Sequence, residues 1–548
     1  MGGCPGEGVG VRTLRGLRAL ALSLLPAVTL LSGPEAAGAE RPGPAVRRLP
    51  LTDGAFGLTA TDHRPLADEL ARTRLTRRVS LADVLDTELT TDSRGRPDGW
   101  LGLRRMRACA GAEALALPPV SRRAAWCWDS SHRDDTTMEW LPQGLSSTGT
   151  ADGGDGAIQR RSALAIAWHH ENPGRPAAGC RSHNLLRLTL IDHATRRYRH
   201  VLLVEPTAAG PSSTGAGGPG FRYVTGHGGG VVWYGNHLYV TDTVRGLRVF
   251  DLGRMAKVDT YGSGVTTYGV GADGRSSACG YPYVVPQTHT YRQDAAVPAG
   301  GCGTRGAGGR PAPRALCFSW LSLDKSGSRT ATAAGGTGGT GGTGGSGGTG
   351  GAGAYRLVVG EWYGSVRGAR VVRYRLNPMN APSAPGLLPL TGGRAVPDDA
   401  YTADRYTGLQ GGMTWTDTRG VLNFAFHKGC ETLPNIFART WLGDTRPTLT
   451  TACQTRDGSP DGIHPRGNWA AGTVQALSHW PRRDGRAVDE LWGLTEKVCP
   501  PGRRTARGGP LPLRDPLDAC SAQYGDRPLS LRTVFAVGFH DPLVQGRH

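Results

Sequence analysis

The chain reads as all-β, of the β-propeller kind, with five blades and a partly helical N-terminal extension; six blades follow if residues 258–268 pair with a further strand. Three observations predict this. Short strands of period two begin near Trp140 and continue almost to the C-terminus. Gly, Asn, Asp and Pro turns part them. The strands also gather into antiparallel meanders that open on similar phrases, and a meander that cannot bury both faces alone is satisfied by radial stacking.

Taken in order, the first segment is an export signal. Arg12, Arg15 and Arg18 precede an apolar run at 19–31, and Ala37-Gly38-Ala39 supplies the small-x-small pattern cut before Glu40. The run is too short to cross a bilayer and Pro26 interrupts it, so the mature chain carries no transmembrane segment and is expected to be secreted. Residues 1–39 are thus a signal peptide, 40–135 the extension and 136–548 the propeller domain. In the extension, Pro65 opens a stretch with Leu66 and Leu70 at helical spacing. Ser80-Leu81-Ala82-Asp83 has the form of a helix start, with Leu81, Val84 and Leu85 on one face.

The clearest meander follows His227. Gly235-Asn236 is a two-residue turn between residues 230–234 and 237–242, and Arg245-Gly246 turns the chain into 247–251. Related groups open at Pro142-Gln143-Gly144, at Val285-Pro286-Gln287, at Gln410-Gly411-Gly412 and at residue 474. The Gly-rich stretch 326–354, with Gly-Gly-Thr repeats from Thr330, has almost no side chain to bury and is an insertion whose role is spacing.

Of 11 cysteines, Cys4 leaves with the signal. The remaining set, Cys109, Cys127, Cys180, Cys279, Cys302, Cys317, Cys430, Cys453, Cys499 and Cys520, is even and contains no C-x-x-C, which reads as disulfides in an oxidising compartment. Nearest-neighbour closure suggests Cys109–Cys127, Cys430–Cys453 and Cys499–Cys520. The net charge is +18 before signal removal and about one unit lower after it. Its arginines come as scattered pairs, such as Arg122-Arg123 and Arg482-Arg483, without a basic block or a nucleic-acid motif. A solvated basic surface that tolerates anionic neighbours, such as a wall polymer, accounts for this; specific nucleic-acid binding does not.

Tests for chemistry are mostly negative. His227-Gly228-Gly229-Gly230 matches an esterase oxyanion loop, but the only G-x-S-x-G, at 344–348, lies in the Gly-rich insertion. His169 and His170 are adjacent on a strand and point to opposite faces, which disfavours a shared metal. Asp-Gly pairs near 152–156 and 457–462 are turn formers lacking a calcium-loop pattern. No cofactor, metal site or catalytic residue is indicated. What stands out is one polar residue at the start of each presumed inner strand: Gln143, His227, Gln287 and Gln410. With Asp242 and Glu361, these form the candidate ring around an axial pocket. The repeated Trp140, Trp168, Trp233, Trp320, Trp415 and Trp480 are read as packing between sheets.

At Trp140-Leu141-Pro142-Gln143-Gly144, at residues 198–204, across 227–252 and at 491–496, the chain resembles a group of uncharacterised secreted proteins of actinobacteria. The resemblance covers most of 100–540, with the glycine insertion as a departure. It implies export and a propeller-like body and carries no reaction or residue roles. The expectation is therefore an extracellular binding or scaffold protein for a polar or anionic ligand such as a cell-wall polymer or glycan. The alternatives are a hydrolase of glycosides or lactones using axial carboxylates (Asp242, Glu361 or Glu490) or a metal, and a structural, wall-associated basic protein.

Overall fold

In this computed structural model the described residues are 44–52, 54–73, 77–88, 101–115, 117–118, 120–151, 156–171, 184–208, 219–258, 268–270, 276–295, 297, 302, 314–326, 355–362, 367–406, 408–428, 436–444, 448–449, 474–481, 489–499 and 528–540. They are mostly β and make a nearly closed, barrel-like body. The signal segment, residues 152–155 and 457–462 of the two Asp-Gly turns, most of the Gly-rich insertion and Cys180, Cys430, Cys453 and Cys520 lie outside them.

Five antiparallel meanders follow one another. The first comprises Trp140–Ser147, Ala163–His170, Leu186–Asp192 and Arg197–Thr207. Next come Val231–Tyr234, His237–Asp242, Gly246–Asp251 and Tyr283–Gln293. Meander three is Trp320–Asp324, Arg356–Gly360, Ala369–Arg375 and Asp399–Ala403. Meander four is Leu409–Thr416, Leu422–Lys428, Ile436–Trp441 and Thr448–Leu449. The last has three strands of its own among the described residues, Val474–Trp480, Glu490–Thr495 and Thr533–Gly538. Its fourth is Arg122–Cys127 from the extension, paired so that Val534 faces Trp126.

The first strands of the meanders pack side by side in cyclic order, one to two, two to three, three to four, four to five and five back to one. So close an approach needs backbones without side chains between them. A Cβ on Gly144 would lie 2.7 Å from the Val231 nitrogen, and one on Gly411 would lie 2.8 Å from the Ala476 Cα. Elsewhere in the ring a tryptophan is laid flat over glycine: Trp480 covers Gly149 and Trp320 covers Gly412. Except for half-exposed Trp415, the tryptophans named above are buried, as packing groups should be.

One strand corrects the sequence reading. Tyr283–Gln293 was expected to open a meander. It is instead the outer strand of meander two, and its first half also runs parallel to Arg197–Thr207 of meander one. Pro286 sits within that outer strand, and its phrase mimics the inner Pro142-Gln143 without sharing its place. Trp320–Asp324 takes the inner position of meander three. Of the candidate segment 258–268 only Val258 and Tyr268 are described; Tyr268 begins Tyr268–Val270, which pairs with Ser276–Ala278 in a two-stranded ribbon.

The extension is a strap along the outer edges. Arg47–Leu49 adds to meander three, Leu58–Asp62 to meander two, Arg104–Arg105 to meander one, and Arg122–Cys127 to meander five. Helix α1 (Arg64–Arg72) carries Pro65 in its first turn and packs Ala67 and Leu70 inward. Helix α2 (Leu81–Asp86) has the expected start: Ser80 and Asp83 form a capping box, and Leu81, Val84 and Leu85 are buried. No helix among the described residues is long and apolar enough to cross a membrane. Two cystines have both cysteines among the described residues, Cys109–Cys127 as spacing suggested and Cys302–Cys317, which spacing did not single out. Cys279 and Cys499 are disulfide-bonded as well.

Candidate functional site

In an antiparallel meander the start of the first strand and the end of the second lie on the same rim. Five such rims meet where the first strands converge, and there the chain leaves a cavity of about 560 Å³. Meander one supplies Leu141 and Gln143 from its first strand and His169 and Glu171 from the end of its second. Meander two supplies His227 and Gly229 before its first strand and Asp242 and Thr243 after its second. Meander three contributes Ser319 and Trp362, meander four Gln410, and meander five Gln475 and Glu496.

Four of the six sequence candidates, Gln143, His227, Asp242 and Gln410, therefore come together at this cavity. Two do not. Gln287, on an outer strand, accepts from Arg248 Nη1 at 2.9 Å and donates to Thr290 Oγ1 at 2.9 Å. Glu361 is fully buried and held in a fork by Arg370, whose Nε and Nη2 each donate at 2.7 Å; the Cys317 amide completes its shell at 3.0 Å. That geometry is a structural clamp beside the Cys302–Cys317 cystine. Glu490, also considered as an axial carboxylate, accepts from the Trp492 indole at 3.0 Å and does not line the cavity.

The floor is electrostatically unusual. Glu496 accepts hydrogen bonds from the Gln143 and Gln475 amides. Burial pushes its carboxyl up to about 7, with Arg532 opposing the shift and the charge of Glu171 adding to it. Arg532 is itself buried, which lowers its guanidinium to about 9. It donates through Nε to the main-chain oxygen of Glu496 at 2.7 Å and through Nη1 to that of Asp134 at 3.3 Å. Asp242 is neutralised by Arg248 at 3.1 Å. His227 stacks on His169 with centroids 4.1 Å apart, and burial lowers its imidazole to about 4, so it is neutral at physiological pH. His170 turns to the opposite face, against Trp140. The adjacent pair is split between cavity and core, as strand geometry requires.

Behind the floor, Asp134 anchors the strap to the body. Its carboxylate accepts from Tyr198 Oη at 2.7 Å and contacts Arg104 and, at 3.1 Å, His200 Nε2. Burial alone would raise this carboxyl, but His200, Arg104 and Arg187 together hold it well below the usual carboxylate range. The Arg187 guanidinium lies between the rings of Trp140 and Trp168, at 4.3 and 4.7 Å.

Sequence reading missed Glu496, Gln475, Glu171 and His169 as lining residues. The signal was present but untried. His169, Asp242 and Glu496 each stand at or just beyond the end of a second strand, a position as well placed as the starts of the first strands. No protein-family model, no curated protein and no solved structure matches this chain.

Proposed function

We propose that the chain is an exported five-bladed propeller that binds a small polar ligand, of the kind offered by extracellular glycans, in its axial cavity. The observation that carries this reading is the convergence of side chains from all five meanders on one cavity. Its size suits a small organic molecule, and its walls combine amides, carboxylates and imidazoles with an apolar lip. The lip is formed by Trp362 and Val244, 38% and 46% exposed. Export is supported by the leader pattern and by the cystines, which form in oxidising compartments. The lining supports the polar part of the sequence expectation and not the anionic part, because its described residues include carboxylates and no Arg or Lys.

The test is a thermal-shift screen of the mature protein against neutral, amino and acidic sugars, lactones and calcium, since a ligand selective for the native state raises the melting temperature. At least one sugar is expected to do so, and Gln143→Ala/Gln410→Ala is expected to abolish its effect. No response from any sugar, or an equal response in the double variant, rejects the reading.

A hydrolase remains the second reading on one observation: Glu496, raised to about 7, faces the charge of Glu171 across the floor, a division of acid and base roles that glycoside hydrolysis uses. Turnover of aryl glycosides that Glu496→Gln abolishes would replace binding with catalysis.

A further inference from the structure

We propose that the ligand of this cavity is a polyhydroxylated organic cation, such as an amine-bearing sugar, with Glu496 and Glu171 as counter-ions for its ammonium group. The inference rests on the axial cavity being a binding site and specifies what it binds.

Its basis is a contrast within the molecule. The chain carries 63 Lys and Arg against 45 Asp and Glu, yet among the described residues neither Lys nor Arg lines the cavity. Buried carboxylates elsewhere are paired with arginine: Glu361 with Arg370 at 2.7 Å, Asp399 with Arg373 at 2.6 Å, Asp324 with the same Arg373 at 3.1 Å. Glu496 breaks that pattern, having no salt-bridge partner among the described residues; Glu171, which is exposed, adds its negative charge at the same cavity. Arg532 opposes the rise of the Glu496 carboxyl electrostatically but spends its Nε and Nη1 on main-chain oxygens and makes no salt bridge to it, its Nη2 being buried without a hydrogen-bond partner. The amides of Gln143 and Gln475 hydrogen-bond the Glu496 carboxyl without neutralising it.

A desolvated carboxylate without a contact ion pair is costly, and an unliganded site relieves the cost by keeping its proton. An ammonium group entering the cavity supplies the missing charge and drives that proton off, while a uronate meets two like charges. The other groups facing Glu496 do not compete. Asp242 is already paired with Arg248, His227 is neutral, His169 stacks against His227, and Arg532 lies behind the floor. One further group on the wall awaits a polar ligand: Thr243 Oγ1 is buried without a hydrogen-bond partner among the described residues. The described residues contain no cluster of three or more His, Cys, Asp or Glu able to hold a metal ion, which favours an organic cation. Trp362 at the lip offers an apolar face for a sugar ring.

Calorimetry on the mature protein with 6-amino-6-deoxyglucose, glucose and glucuronate tests this. The amine is expected to bind roughly tenfold tighter than glucose, with glucuronate weakest. At pH 6, repeating the titration in buffers of different ionisation enthalpy should reveal about one proton released per ligand bound. Glu496→Gln, which keeps the shape, should remove the proton release and most of the preference; Glu171→Gln should weaken the preference and keep the release. Glucose or glucuronate binding as tightly as the amine overturns the cation assignment while leaving the cavity a binding site. No binding by any of the three to a protein with an intact melting transition, together with a silent sugar screen, overturns the cavity reading itself.

Discussion

At the scale of single residues, the buried histidines give this protein an acid-labile interior. His200 and His427 have no exposed surface, and burial lowers them from 6.5 to about 3 and about 4, with Arg187 adding to the first and a bond to the Gln475 oxygen resisting the second. A histidine whose folded pKa is depressed contributes stability that is present above its unfolded pKa. That stability is lost as the pH falls toward the folded value, because the unfolded chain takes up the proton first. Each costs about 2 kcal/mol by pH 5 relative to pH 7. Asp134, held low by its cationic neighbours, acts in the same direction further into acid. Glu496 acts the other way: its raised carboxyl costs stability as the pH climbs from its unfolded value of 4.5 toward 7. Denaturant unfolding of the wild type and His427→Gln at pH 7 and pH 5 checks the larger effect. The variant's stability difference between the two pH values should be smaller by about 2 kcal/mol. An unchanged difference would show that His427 is already solvated when folded.

At the scale of elements, the decisive feature is the closeness of the inner strands. Gly411 lets meander four approach meander five, and the atoms that an added Cβ would meet are backbone atoms of Ala476, 2.8 to 3.0 Å away. Backbone within a strand of a sheet cannot swing aside as a flexible side-chain tip can, so Gly411→Ala must displace a strand. A loss of about 1–3 kcal/mol is expected, as for overpacking in general, read as a lower midpoint in thermal or denaturant melts. A midpoint equal to that of the wild type would mean the strands have slack. Meanders three and four are also locked by a buried network. Arg373 sits between Asp324 and Asp399, and Thr414 Oγ1 donates to Asp324 Oδ2 at 2.7 Å across the two sheets.

At the scale of the whole molecule, closure depends on the N-terminal strap. It supplies the fourth strand of meander five, covers the outer edges of meanders three, two and one, and contributes Asp134 to the network behind the cavity. The Cys109–Cys127 cystine closes a loop of 18 residues next to the closing strand, worth about 3 kcal/mol in the chain-entropy model. A mature chain lacking residues 40–135 leaves meander five with an open edge. It is expected to lose its cooperative melting transition and to bind a hydrophobic dye. A truncated chain that melts cooperatively at the wild-type temperature would reduce the strap to an ornament.

Strand periodicity, the Gly235-Asn236 turn and the Ser80 cap were legible because each is a local property, set by side-chain alternation and backbone preference within a few residues. Gln143, His227, Asp242 and Gln410 were legible as lining residues because they stand beside glycines or strand ends that mark the crowded centre. Gln287 misled because an outer strand can carry the same phrase as an inner one, and Glu361 because a polar residue after a strand does not announce its arginine. By itself, then, the sequence determined the β character, the turns, the cap and the even set of cysteines. The tertiary structure alone decided which strand closes the last meander, which carboxylates keep a counter-ion and which do not. Those outcomes depend on contacts such as Gln143 with Glu496, 353 residues apart, and on how much water burial removes around each charge.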